Sequence, residues 1–168
     1  MTHHTERPLR ALPRAGDADE VRRIVAATGF FRAAEVDIAV ELVEEALRRG
    51  AEASGYHFYF DDAAQGGLAG YACYGPIDGT ESSWDFYWIA VDPSAQGQGV
   101  GRALLAAAER DAAARGAGRL WVETSTMALY APTRRFYHRA GYTDAAELPD
   151  FYAPGDGKLI LVKQLRRP

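Results

Sequence analysis

Gln96-Gly97-Gln98-Gly99-Val100-Gly101 is the stretch that decides how this chain is read. A β-like run, Trp88-Ile89-Ala90-Val91, precedes it and ends at the turn pair Asp92-Pro93; a helix-like run rich in Ala and Leu follows, from Arg102 to Arg115. Strand, glycine-rich turn and helix in that order aim several free backbone N–H groups and the positive end of a helix dipole at one spot. That spot suits a phosphate or diphosphate, and glycines let such a group approach the backbone closely. A Walker loop is excluded, because Gly101 is followed by Arg102-Ala103 and not by Lys-Ser/Thr. A dinucleotide fingerprint beginning at Gly97 or Gly99 needs a small residue at Arg102 or Leu104 and finds neither. Glu123 stands where a ribose-binding acid would, yet too little chain remains for several βαβ units. The pattern that fits is Q-x-x-G-x-G, with Gln96, Gly99 and Gly101 in place.

Composition narrows the partners. At 168 residues the chain is read as one domain, residues 1–168, with 1–8 a loose start. A net charge of -4 argues against nucleic acid, so an anion site must be built from local amides and a few arginines. The single cysteine, Cys73, excludes an internal disulfide and a thiolate metal site; it lies in a strand-like run and is read as core. His3-His4 lies in the loose start and His57 stands alone, so no metal is expected. No apolar run approaches membrane-spanning length and no secretory h-region is visible, so the expectation is a cytoplasmic protein without a membrane partner.

Periodicity supplies the elements. Leu9 to Leu12 reads as a short strand, and Asp17 and Asp19 offer caps for a helix to about Thr28. A second helix, from about Ala34 to Arg49, carries Val36, Val40, Val43 and Leu47 at helical spacing and stops at Gly50. Tyr56 to Asp61, Leu68 to Ile77 and Ser83 to Val91 read as an antiparallel meander with turns at Gln65-Gly66-Gly67 and Asp78-Gly79. The helix after the glycine turn buries Leu104, Ala107, Ala108 and Ala112 and turns Glu109, Arg110 and Asp111 outward. Arg119 to Thr124 should run parallel to the preceding strand, because a helix carries the crossover. Pro132 opens a helix to about Ala140, and Tyr142 to Glu147 and Lys158 to Gln164 close the sheet. The fold class is an α/β (α+β) three-layer sandwich around a mixed, mostly antiparallel sheet.

With the pattern at Gln96, Gly99 and Gly101, a second element, Arg135-Phe136-Tyr137-His138-Arg139-Ala140-Gly141-Tyr142, matches aromatic-Tyr-x-x-x-Gly-aromatic. In both motifs and their spacing the sequence resembles the GCN5-related N-acetyltransferase (GNAT) superfamily, from about Gly67 to Leu165. The resemblance implies the acyl-CoA N-acyltransferase fold, whose two central parallel strands splay to admit the pantetheine arm of acetyl-CoA. It implies that Gln96, Gly97, Gln98, Gly99, Val100, Gly101 and Arg102 bind the cofactor, the amides from Gln98 to Arg102 holding the diphosphate, and that main-chain groups of Ile89, Ala90 and Val91 line the arm. The N–H of Val91 then serves as oxyanion donor and Tyr137 as the acid that protonates the departing sulfur. The family often has asparagine seven residues before this tyrosine; here Tyr130 stands there, and it competes with Tyr137 as the acid, contacts the cofactor arm, or fills space.

An alkylamine acceptor is largely charged at neutral pH and needs a base. Glu123, near the carboxyl end of its strand, leads; Asp85 and Tyr87, on one face of the opposite strand with Ile89, follow. His138 is read as a surface histidine, and Arg134, Arg135 and Arg139 as a charged outer face or as contacts to the ribose phosphate. The loop 150–157 is aromatic and acidic; with Phe30 and Phe31 it would border an acceptor cleft suited to a small amine, an amino acid or a peptide N-terminus. A homodimer is compatible with all of this, and the competing reading is a non-catalytic acyl-CoA-binding or sensing domain.

Overall fold

The computed structural model describes residues 8–165, so His3-His4 and the rest of 1–7 lie outside it. Helices α1 (Asp17–Ala27), α2 (Ala33–Arg49) and α3 (Ala51–Ser54) come first, then strands β1 (His57–Asp62), β2 (Leu68–Pro76) and β3 (Ser83–Val91). Helix α4 (Val100–Ala114), β4 (Arg119–Ser125), α5 (Ala131–Arg139), β5 (Thr143–Ala153) and β6 (Asp156–Gln164) complete the order, with short 3-10 turns at Pro93–Ala95 and Ala128–Tyr130. One six-stranded sheet runs β1-β2-β3-β4-β6-β5, mostly antiparallel, with β3 and β4 the parallel pair. The chain separates into two compact units, one comprising the chain up to Tyr74 with Trp88–Ala108, the other Gly75–Tyr87 with Glu109 onward.

In the first unit, the predicted strand over Leu9 to Leu12 shrinks to one bridge, Arg10 to Phe60. Pro8 and Pro13 have no N–H to give a ladder, and Leu12 lies in solvent. The Arg10 guanidinium ties the segment down by gripping Asp17 at 2.8 Å and Asp62 at 2.8 Å. Asp17 is therefore no cap: it is the first residue of α1, behind Gly16 at φ 93°, and it accepts the Arg14 N–H at 2.6 Å. Helices α1 and α2 bury Val21, Ile24, Val25, Val36, Ala39, Val40 and Val43 against Phe58, Phe60, Leu68 and Cys73. Each large apolar side chain so buried contributes about 1.5–3 kcal/mol. Leu47, expected on this stripe, is exposed, and Ala46 takes its place one position earlier, three residues after Val43. Burial of Cys73 raises its thiol pKa and fits its reading as core.

Tyr71 lies in the same core with its hydroxyl buried and without a hydrogen-bond partner. A buried hydroxyl left unpaired costs about 1–3 kcal/mol, so Tyr71→Phe is expected to stabilise the fold by about 1 kcal/mol in urea denaturation. A loss of stability would mean that the hydroxyl has a partner.

In the second unit, the parallel ladder joins Ser83 to Arg119, Trp84 to Leu120 and Asp85 to Trp121, and then stops, although both strands continue. β4 pairs with β6 along its whole length, from Arg119↔Gln164 to Ser125↔Lys158. Strand alternation sorts the side chains: Trp84, Phe86, Leu120, Val122, Leu159 and Leu161 are buried on one face, while Asp85, Tyr87, Trp121, Glu123 and Lys158 point to the other. Helix α5 lays Tyr137 among aromatic rings, with Phe86 at 6.4 Å, Phe136 at 5.2 Å and Tyr142 at 5.4 Å between centroids.

Two expectations are corrected here. Glu109 does not face solvent; its carboxylate meets the Lys163 ammonium at 2.6 Å, a partner on β6 that helical periodicity alone does not reveal. The segment 150–157 is not a free loop, since β5 runs through Phe151 and Tyr152 to Ala153 and only 154–155 turn. Its pairing skips between Leu148 and Ala153, where Asp150 adopts φ 54° and accepts the Gly155 N–H at 2.6 Å. Asp tolerates that left-handed backbone better than most residues, which is how the strand accommodates its irregularity.

Candidate active site

The glycine turn is built from both ends. Before it, Asp92 accepts hydrogen bonds from the Ser94 N–H and hydroxyl at 2.9 and 2.6 Å and from Arg23 at 2.5 Å. Those partners hold the Asp92 carboxyl down at about 2, the Ser94 hydroxyl being the largest cause. Within the turn, Gly97 and Gly99 take φ 75° and 83°, where a β-carbon is strained. The Gln96 amide reaches back to the Val91 carbonyl at 3.5 Å, and the Gln98 amide donates to the Ser94 carbonyl at 3.1 Å. After it, the Ala103 N–H takes the Gly99 carbonyl as the first bond of α4. The amides of Val100, Gly101 and Arg102 thus lie in the first turn, where no helical carbonyl can pair them. The Arg102 guanidinium passes 3.9 Å from the place of a Gly99 β-carbon, which sets a cation beside these donors.

Gly70 brings this helix end down onto the sheet. A β-carbon there would stand 2.9 Å from Val100 Cγ1 and 3.0 Å from the Ala90 carbonyl, closer than real contacts allow. Sequence reasoning passed over Gly70, although a lone glycine inside a strand pattern signals such an approach. The Asp92 N–H donates to Ala69 of β2 at 2.8 Å, so by strand alternation the N–H of Ile89 and Val91 points away from β2.

The second unit holds the titratable residues. Tyr137 is buried to 4% exposure, and desolvation raises its pKa well above an ordinary tyrosine. Tyr130 ends a short 3-10 turn before α5 and is half-buried. Glu123 is half-exposed and paired with Lys158 at 2.5 Å. Asp85 is raised above the usual carboxylate range, first by burial and then by the charge of Glu123, with Lys158 opposing. The Lys158 ammonium also sits 3.8 Å over the Phe151 ring and 5.7 Å from that of Tyr152. Arg134 donates from Nη1 to the Ser125 and Met127 carbonyls at 2.7 and 2.9 Å, which ties α5 to the segment after β4. His138 meets Asp144 at 2.7 Å on the surface, as a surface histidine would. His57, read as standing alone, is buried and stacked on Tyr74 at 5.8 Å. Among the described residues, no cluster of three His, Cys, Asp or Glu side chains is placed to hold a metal, and no helix is long and apolar enough to cross a membrane.

A family profile described as the acetyltransferase (GNAT) family matches residues 22–142, a span that holds both the glycine turn and Tyr137. The chain belongs to the GNAT acetyltransferase family. A protein from Desulfovibrio desulfuricans, solved as a GNAT-family acetyltransferase, is 48% identical over 95% of this chain and 99% of its own, with a TM-score of 0.91. Blasticidin-S acetyltransferase of Streptomyces morookaense is 40% identical over 81 residues, 48% of this chain; the chain spans 55% of that relative's length. Nourseothricin acetyltransferase shares 28% identity over 67% of this chain and 66% of its own, with a TM-score of 0.60. Within the GNAT fold, the chain has the central parallel pair that its strand pattern led one to expect. What its sequence did not disclose is Lys158, whose contacts join β6 to β4 and β5 through register alone.

Proposed function

We propose that this chain is a single-domain, acetyl-CoA-dependent N-acetyltransferase acting on a primary amine by direct attack in a ternary complex. The observation that carries the reading is the glycine turn, with Gly97 and Gly99 in left-handed backbone and first-turn amides unpaired by the helix. Membership of the family supports acetyl-CoA as co-substrate. The amides from Gln98 to Arg102 hold the diphosphate, Gln96 and Gly97 complete the cofactor turn, and main-chain groups of Ile89, Ala90 and Val91 line the pantetheine arm.

Chemistry follows from proton demand. The acceptor ammonium gives a proton to a base, and the neutral amine adds to the thioester carbonyl. The resulting oxyanion is met by the Val91 N–H, a preorganised donor worth about 3 kcal/mol of barrier. Collapse breaks the C–S bond, the departing thiolate takes the Tyr137 proton, and the proton left on the acylated nitrogen passes through solvent to restore the phenol, giving the N-acetyl amide and free coenzyme A. We take Asp85 as the base in preference to Glu123. Glu123 already has the Lys158 ammonium as its partner, while burial first and then the Glu123 charge raise the Asp85 pKa. Tyr130 keeps the place of the family's asparagine and packs beside the start of α5.

Two relatives carry antibiotics in their names, which favours a small amine over a peptide N-terminus as acceptor. Acetyl-CoA consumption across amines, amino acids and peptides tests this. Tight coenzyme binding with no transfer to any acceptor would leave the acyl-CoA sensor reading instead. A cytoplasmic location and a homodimer belong to the same proposal.

A base at Asp85 makes kcat/KM rise with pH through a pKa above the ordinary carboxylate value near 4. Asp85→Asn should lower kcat/KM about a hundredfold and flatten that limb. The stability sign is also fixed. A raised folded pKa favours the protonated native state below the unfolded pKa, and that advantage is lost as pH rises through the folded value. Asp85→Asn should therefore be more stable than wild type at neutrality and no more stable in acid, as read by urea titration at both. An unaltered pH profile would remove Asp85 as the base.

A further inference from the structure

Lys158 is the least expected charge in the second unit. Its side chain is only 13% exposed, on a strand whose neighbours Gly157 and Leu159 are buried. The ammonium lies 2.5 Å from Glu123 and 3.8 Å over the Phe151 ring, and Asp85 feels its charge. Carboxylate and aromatic face together are the means by which proteins grip a cation. Here the cation they grip belongs to the chain itself. Of the other carboxylates of this stretch, Asp156 accepts from the Ser125 hydroxyl at 2.5 Å and Asp150 from the Gly155 N–H. Two carboxylates, Asp85 and Glu123, therefore share the one ammonium of Lys158.

We infer that Lys158 is a specificity-determining residue: by filling the Glu123–Phe151 cation site, it restricts the acceptor to an amine with a single positive charge, answered by Asp85. The inference rests on reading this sheet face as the acceptor side of the proposed acetyltransferase. A second cation on the acceptor would meet an ammonium already seated against the Glu123 carboxylate and the Phe151 ring. Removing that ammonium returns Glu123 and the Phe151 face to the substrate.

The test compares butylamine with 1,4-diaminobutane, in wild type and in Lys158→Met, whose stem keeps the packing on the rings. Lys158→Gln serves if the Met variant does not fold. Two readouts are taken: KM for each amine in acetyl-CoA turnover, and Kd for each amine from equilibrium titration of the coenzyme A-bound protein. Wild type should prefer the monoamine, and loss of the lysine should shift the diamine-to-monoamine ratio about fivefold toward the diamine, the scale of one partly exposed ion pair. Lys158→Arg should restore the wild-type ratio. An unchanged ratio in a folded variant overturns the inference, as does failure of both amines to bind either form. Absence of acetyl transfer by wild type would instead sink the acetyltransferase reading, and the Kd ratio would still decide the role of Lys158.

Discussion

Tyr137→Phe is expected to lower kcat about a hundredfold or more while leaving coenzyme A affinity within about twofold, because a positioned general acid is worth that much. The substitution is clean. Phe86, Phe136 and Tyr142 surround the ring and not the hydroxyl alone, so a phenylalanine keeps the packing and the fold. Burial raises the Tyr137 pKa and guarantees that the proton is present at neutral pH, but it also makes the phenol a reluctant donor. Transfer to a thiolate whose conjugate acid lies near 8.5 in water then requires that sulfur to be held as dry as the phenol, since desolvation raises both. Steady-state kinetics with a parallel binding titration separates the effects. A variant that turns over normally once saturated would show that Tyr137 is only a core aromatic, and Tyr130→Phe would then be the next to measure.

Gly99→Asp should weaken coenzyme A binding at least about a hundredfold, and Gly99→Asn far less. Gly99 sits at φ 83°, and a side chain there meets nothing nearer than the Arg102 guanidinium at 3.9 Å from its β-carbon. Asp and Asn both tolerate the left-handed region and have nearly the same shape, so the pair isolates charge. A carboxylate about 5 Å from a diphosphate repels it by about 3 kcal/mol at an effective dielectric near 20, which is about two decades in Kd. Circular dichroism on both variants controls for folding. Equal losses for the two would mean that the turn meets no anion.

The glycine turn was legible because its information is local: Val91, Asp92, Gly97 and Gly99 state strand, stop and positive φ within nine residues. The parallel pairing of β3 and β4 was legible for the same reason, a helix between two strands leaving one handed route. What failed was long-range. Glu109 looked outward on a helical wheel until Lys163 arrived from β6, and the Lys158 partner of Glu123 gave no sign of itself in the sequence. Neither partner lies within thirty residues, and no propensity encodes their register. The segment 150–157 misled through its Pro, Gly and Asp content, which served a register skip and a two-residue turn and not an open loop. Leu9 to Leu12 misled in the opposite way, as apolar residues flanked by prolines with no N–H to pair.

Titration calorimetry of the wild-type chain with coenzyme A and with pantetheine, which lacks the diphosphate, tests the anchoring role of the turn directly. Coenzyme A should bind with measurable heat and pantetheine at least about a hundredfold more weakly, the difference being the phosphates held by the amides of Gln98 to Arg102. Equal affinity for the two compounds, or no heat with either, would contradict it.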